Sequence, residues 1–419
     1  MSARYMSKEL LYRGARVIDP FNGTDAVCDV AVKNGLFARP DDLTAPETID
    51  VSGKVLCPGF VDVHVHLRDP GQTLKETLET GTAAAVKGGF TSILAMPNTV
   101  PPMDEPLRVR EFLERAAGAP VKVYQSACFT KGRAGIEMSD LDALAQAGVP
   151  AFSDDGSTTQ DAGLMRRVMS LAARLGLPVI DHCEDKSLSA GGVMHEGDVS
   201  RKLGLRGQPR SAEELIVARD IMLAAETGCR VHLQHLSSKG SIDMLRRARQ
   251  QGLPVTGEAT PHHILMTDNA VAEYGTNAKM APPLRNEEDR QAILEALRDG
   301  VISVIATDHA PHTRDEKALG MEKAPFGIVG IEVAVPLCLA GLYRTGVLSL
   351  DRLVSMFTAG PRELLNLPLG AINIGERADL TLLDLEDEWT IDVDEFVSKG
   401  RNCPYNGWRC IGNVKAIRG

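Results

Sequence analysis

The sequence predicts an α/β fold: a (β/α)8 barrel of the TIM type with a small β-sandwich domain formed by both chain termini. Three observations lead there. Eight short strand-like runs alternate with amphipathic helical stretches through the middle of the chain. Both ends are strand-and-turn sequence, and neither is long enough for a secure core of its own. His or Asp residues stand at the C-terminal ends of six of the predicted strands, where barrel enzymes carry their chemistry.

The N-terminal runs RGARVIDP and CDVAVKNG end in Asp-Pro and Asn-Gly, which are turn signals. The C-terminal runs ADLTLLDL and GNVKAI are strand-like, with a turn at Asn406-Gly407. Residues 1–56 and 366–419 are therefore expected to form one composite β domain, and 57–365 the barrel. Barrel strands are predicted at Val55–Leu67, Phe90–Asn98, Val121–Thr130, Pro150–Gly156, Pro178–Asp185, Arg230–Ser238, Pro254–His263 and Ile302–His312. Helices between them include Thr73–Lys87, Asp161–Leu175, Ala212–Thr227 and Glu287–Arg298.

Composition narrows the function. The 419 residues are 43% hydrophobic and 24% charged, with a net charge of −10. There is no basic stripe of the kind nucleic-acid binders carry. A small anionic substrate would need locally placed arginines, because the global field repels it. The opening MSARYMSKELLYRGARV lacks the apolar core of a signal peptide, and no apolar run is long enough to cross a bilayer. Eight scattered cysteines form no CxxC pair, so a reducing cytoplasm is the expected location.

The ten histidines all lie between His64 and His312. His64 and His66 are two apart on a predicted strand, so they share a face. Asp155, His182, His235 and Asp308 stand at later strand ends, and with them six ligands converge on the barrel mouth. Imidazole with carboxylate suits zinc, and also manganese or cobalt. Six ligands exceed one tetrahedral ion, so two ions sharing a carboxylate fit the set better. His195 and His232 read as structural or surface residues, His232 facing away from His235 by strand parity. Of His262 and His263, one is expected at the mouth and the other packed. The polar stretch from Pro311 to Gly327 reads either as a lid or as a solvated loop.

With these residues in view, the chain resembles the amidohydrolase superfamily, and within it the class I dihydroorotases. PGFVDVHVHLRDPG at 58–71 is the most specific element. GTAAAVKGGFTSILAMPNTVPPMD, AFSDDG, DHCED, HLSS and ATDHAPH follow in order, and SKGRNCPYNGWRCIGNVKAI closes the match. The resemblance implies reversible hydrolysis of (S)-dihydroorotate to N-carbamoyl-L-aspartate in pyrimidine biosynthesis. It implies one or two Zn2+ held by His64, His66, Asp155, His182, His235 and Asp308, with Asp308 also the general acid/base. Arg68 is expected to grip the substrate carboxylate through two hydrogen bonds. His66, Asn98, His312, Phe326 and Gly327 complete the implied substrate contacts. Many relatives bridge their metals with a carboxylated lysine, but AFSDDG has none and offers Asp155, with Asp154 turned away. One departure stands out: position 281, usually Asn in this family, is Ala281. Association with aspartate carbamoyltransferase and a homodimer are the partner expectations. The competing readings are an allantoin or hydantoin hydrolase and a non-catalytic dihydroorotase-like subunit.

Overall fold

The computed structural model describes residues 9–418. The expectations resting on residues 1–8, including part of the signal-peptide reading, lie outside the described residues.

The chain opens with strands β1 (Glu9–Asp19), β2 (Thr24–Lys33), β3 (Leu36–Ala38), β4 (Glu47–Asp50) and β5 (Val55–Pro58), and closes with β15 (Asp379–Thr390) and β16 (Arg409–Arg418). These seven form one sheet in the order β16-β15-β5-β1-β2-β3, with β4 also on β1. Asn34 and Gly35, both at positive φ, make the two-residue hairpin between β2 and β3. β1 shifts register between Tyr12 and Ala15, around Gly14. Its first half pairs with β4 and its second half with β5. The sheet encloses its own apolar cluster, with Tyr12, Val17, Val30, Phe37, Leu56 and Leu380 from both termini. The N-terminal strands supply most of this core, and Ala378 and Leu380 from the C-terminal part complete it.

The barrel strands are β6 (Phe60–Val65), β7 (Phe90–Ala95), β8 (Lys122–Gln125), β9 (Val179–Asp181), β12 (Val231–Leu233), β13 (Val255–Ala259) and β14 (Val304–Ile305). A two-residue pair, β10 (Met194–His195) with β11 (Gly207–Gln208), lies outside the barrel order. The barrel runs as two parallel sheets, β6-β7-β8 and β9-β12-β13-β14. Phe152 bridges them, pairing with Ala127 on one side and Val179 on the other, and Val65 pairs with His309 to close the ring. The segment predicted as the fourth strand thus occupies the strand position through one residue instead of a ladder. The predicted first strand is two strands: Val55–Pro58 joins the terminal sheet through β1 and β15, and Phe60–Val65 enters the barrel. The break is at Gly59, where a Cβ would lie 2.1 Å from Thr91 Oγ1. Only glycine lets the backbone pass so close.

Helices flank the strands as the periodicity predicts. Asp161 caps Ala162–Leu175, which ends at left-handed Gly176 and buries Leu164, Met165, Val168, Met169 and Ala172. Asn286 caps Glu287–Arg298. The first helix starts at Leu78, later than the expected Thr73, because the Thr77 side chain accepts from Thr80 N and sets the cap there. No helix among the described residues is long and apolar enough to cross a membrane.

Candidate active site

Strand alternation points His64 and His66 to the same side of β6, and Asp155 and Asp308 arrive from the segments after Phe152 and β14. His64 Nε2 lies 3.2 Å from Asp155 Oδ1 and 3.3 Å from Asp308 Oδ1. His66 Nε2 lies 3.0 Å from Asp308 Oδ1 and 3.4 Å from Asp155 Oδ2. His235 joins with its ring 5.2 Å from that of His64. Two triads, His64–His66–Asp308 and His64–Asp155–His235, each hold their ligand atoms within 4.8 Å. His182 enters through His235, Nδ1 to Nε2 at 2.9 Å, and its other nitrogen faces Glu184 Oε2 at 3.4 Å. All six are buried.

The electrostatics call for a cation. Burial pushes the His64 pKa down, but Asp308, Asp155 and Glu258 outweigh it and hold it well above the usual imidazole value. Burial likewise pushes Asp155 and Asp308 up, yet the surrounding imidazoles hold both well below the carboxylate range. Burial and neighbouring His182 depress His235 to about 3. No Lys or Arg pairs with either aspartate among the described residues. Buried carboxylates require a partner charge, and four imidazoles with two carboxylates are a donor set suited to zinc-type divalent ions. The residues present fit a metal.

A second layer orients these ligands. His64 Nδ1 lies 2.7 Å from Glu258 Oε1, so Nε2 is left facing the aspartates. Glu258 also accepts from His235 N and lies 3.1 Å from His232 Nε2, and His232 Nδ1 reaches Thr256 Oγ1. His232 is thus fully buried and tied to the ligand set, not at the surface. Parity does not relate it to His235, which lies past the end of β12 with a left-handed φ of 32°, and Glu258 touches both residues. Sequence reasoning passed over Glu258. Its signal was a charged residue inside a barrel strand.

Arg68 reaches the cavity by another route than strand alternation. β6 ends at Val65, and Arg68 adopts a left-handed φ of 57°. Its guanidinium is buried, 9% exposed, with Nε donating to Pro311 O and Nη2 lying 3.3 Å from His312 Nε2. It has no carboxylate partner within ion-pair distance among the described residues. Neighbouring Asp69 is engaged instead by Arg115 at 2.8 Å. Asp154 is turned away, accepting from Thr130 N at 3.1 Å.

Asn98 spends its amide within the site: Oδ1 lies 2.9 Å from His66 Nδ1, and Nδ2 donates to Asp155 Oδ2. His312 Nε2 lies 2.8 Å from Phe326 O. The 311–327 stretch is exposed over much of its middle, including Arg314, Asp315 and Leu319, and is tethered at several points. Lys317 Nζ donates to Pro325 O and Gly327 O, Lys279 Nζ to Met321 O and Ala324 O, and Asn402 Nδ2 to Ala310 O and Gly327 O. His262 and His263 are both buried: His263 bonds Thr260 and Pro282 O, and His262 Nε2 has no hydrogen-bond partner among the described residues. His195 is buried beside Arg285, and burial lowers it to about 4.

His66, Arg68, Asn98, Asp155, His182, His235, Asp308, His312, Phe326 and Gly327 line one cavity of about 370 Å³, with Arg133 and Ala281 on its wall. That volume suits a single-ring substrate. His64 sits beneath it, reached through the aspartates.

Residues 53–241 match the family model described as dihydro-orotase-like. The chain is 46% identical over 402 residues to a dihydroorotase of Pelotomaculum thermopropionicum, covering 95% of this chain and 94% of that one. It is 48% identical over 369 residues to a dihydroorotase of a Geobacillus species, covering 88% and 86%. Among solved structures, the L-hydantoinase of Arthrobacter aurescens superposes with a TM-score of 0.87 at 25% identity, covering 96% and 93%. The dihydropyrimidinase of Brevibacillus agri superposes at 0.84 with 23% identity, covering 97% and 92%, which bears on the fold alone. The chain, with its six-residue cluster at the mouth of an amidohydrolase barrel, belongs to the dihydroorotase family of cyclic-amide hydrolases.

Proposed function

We propose that this chain is a zinc-dependent dihydroorotase of the class I type, interconverting (S)-dihydroorotate and N-carbamoyl-L-aspartate in pyrimidine biosynthesis. The observation that carries the substrate assignment is Arg68. It is a buried cation with no carboxylate partner, on the wall of the cavity that holds the six-residue cluster. A buried charge without a partner in the protein is a binding site for one outside it.

His64, His66, Asp155, His182, His235 and Asp308 would hold one or two zinc ions. When bound, zinc lowers the pKa of water to about 7 and polarises the ring carbonyl. Arg68 and His312 orient the substrate carboxylate, and the Phe326–Gly327 backbone flanks the ring. Asn98 acts by holding His66 and Asp155 in place. Asp308, kept ionised by the imidazoles around it, takes a proton from the attacking water. The water oxygen adds to the ring carbonyl carbon, and the C–N bond breaks. Asp308 delivers its proton to the departing nitrogen. The carboxyl group so formed releases the water's second proton to solvent, which completes N-carbamoyl-aspartate, and the reverse sequence closes the ring. Asp155, where relatives use a carboxylated lysine, favours dihydroorotate over hydantoins and allantoin.

The same reading carries a cytoplasmic homodimer that associates with aspartate carbamoyltransferase. Light scattering of the purified chain, alone and mixed with that enzyme, checks both. For the reaction, zinc-loaded protein is assayed on L-dihydroorotate, allantoin and dihydrouracil with and without chelator. Chelator-sensitive turnover of dihydroorotate alone is expected. Turnover of the others in its place would overturn the assignment.

A further inference from the structure

Arg133 lies after β8, in the one-turn helix Lys131–Arg133. Its φ is 56°, in the left-handed region. Among the described residues, six non-glycine positions have positive φ: Asn34, Arg68, Arg133, His235, Asp308 and Asn366. Three of these are site residues already described. Strained backbone of this kind persists where the surroundings over-determine it, and it gathers at active sites. In Arg133 it brings the guanidinium to the mouth. Nη1 donates to the carbonyl oxygen of Asp155, itself a cluster residue. A Cβ placed on Gly156 would lie 3.0 Å from Nη1 and 3.3 Å from Asn98 Nδ2, a tight fit that glycine avoids. Among the described residues, Nε and Nη2 of Arg133 make no hydrogen bond and no ion pair, and the side chain lines the cavity.

We propose that Arg133 is a second carboxylate-binding residue, meeting the carboxylate that exists only in the ring-opened compound. This rests on the dihydroorotase reading above. Dihydroorotate has one carboxylate, which Arg68 serves in both directions. Ring opening turns the amide carbonyl into a second carboxylate, formed beside Asp155 and Asp308. A guanidinium anchored on Asp155's own carbonyl, with two donor nitrogens unengaged among the described residues, can receive that carboxylate through charge-assisted hydrogen bonds. The protein's net charge of −10 supplies no help from a distance. Ala281, on the same wall, contributes only a methyl group.

The test compares metal-loaded wild type, Arg133→Met and Arg133→Lys in both directions, with metal content measured alongside. A variant cannot change the equilibrium constant, so kcat/KM must fall by the same factor in both directions. The asymmetry is read from KM. Losing a charge-assisted bond is expected to raise KM for N-carbamoyl-aspartate about tenfold or more. KM for dihydroorotate should rise less than about threefold on the same grounds, metal content should hold, and Arg133→Lys should recover part of the loss. Equal rises in both KM values would overturn the assignment. So would loss of metal with both KM values unmoved, which is what a purely structural anchor for the Asp155 segment gives. If the wild type turns over neither compound, the dihydroorotase reading fails and this one with it. An active wild type without the asymmetry refutes Arg133 alone.

Discussion

Glu258→Gln isolates the layer behind the proposed metal ligands. Glu258 is fully buried, with one oxygen 2.7 Å from His64 Nδ1 and 3.2 Å from His235 N, and the other 3.1 Å from His232 Nε2. Burial alone would push its pKa up, yet His64 and His232 bring it to about 2, so it is ionised. Glutamine keeps the shape but replaces one oxygen with a donor and removes the charge. A charge-assisted hydrogen bond contributes about 1.5–3 kcal/mol, and a neutral one about 0.5–1.5. The loss is about 1–2 kcal/mol, equivalent to roughly 5–30-fold in zinc affinity. Outer partners of metal-bound histidines generally contribute about 10–100-fold, a range that overlaps this figure. Competition for zinc against a chromophoric chelator reads the affinity directly, with circular dichroism to check the fold. An affinity within about twofold of wild type in a folded variant would refute the claim that Glu258 sets the orientation of His64.

Arg68→Met is expected to weaken dihydroorotate by about 1.5–3 kcal/mol while leaving dihydrouracil, which lacks the carboxylate, little changed; equal losses in a two-substrate assay would reject the carboxylate clamp. Asp308→Ala is expected to lower kcat at least about a hundredfold, the usual range for a general acid–base group. Circular dichroism should stay native, and retained turnover would remove Asp308 from proton transfer. Lys317 makes a pH prediction. Burial, with Lys279 beside it, lowers Lys317 to about 7 in the folded protein, against 10.5 as the ordinary value. Between those values the unfolded chain holds a proton that the folded chain has shed, so this group's contribution to stability rises with pH across that window. Urea denaturation at pH 7 and pH 9 should show a smaller rise in Lys317→Met than in wild type, and identical slopes would contradict the shift.

What could be read from the sequence followed periodicity. A two-residue spacing fixes a shared face on any strand, so the pairing of His64 with His66 needed no structure. Where the chain leaves a regular element, the rule loses its grip. Arg68 reaches the cavity through a left-handed turn that alternation does not describe. Pro58-Gly59 is a break signal inside the predicted first strand, and the approach of Thr91 shows that two sheets meet there. The segment 150–156 has strand composition, yet Phe152 alone makes the bridges, since the loop carrying Asp155 departs almost at once. Glu258 and Arg133 escaped for another reason. Each has meaning only through a partner far away in sequence, His64 for one and Asp155 for the other.

The bonds from Asn402 to Ala310 O and Gly327 O have a consequence for how the protein is made. By residue 308 a growing chain has synthesised all six cluster residues, and much of the barrel can begin to assemble. The cavity wall that includes Pro325, Phe326 and Gly327 is made after those residues, and its clasp from Asn402 comes later still. Strand β5, near the start of the chain, also waits for β15 to arrive. The order of synthesis therefore places the six cluster residues before the last tether on the cavity wall. Losing Asn402 would remove two of those tethers and leave the ones from Lys279 and Lys317.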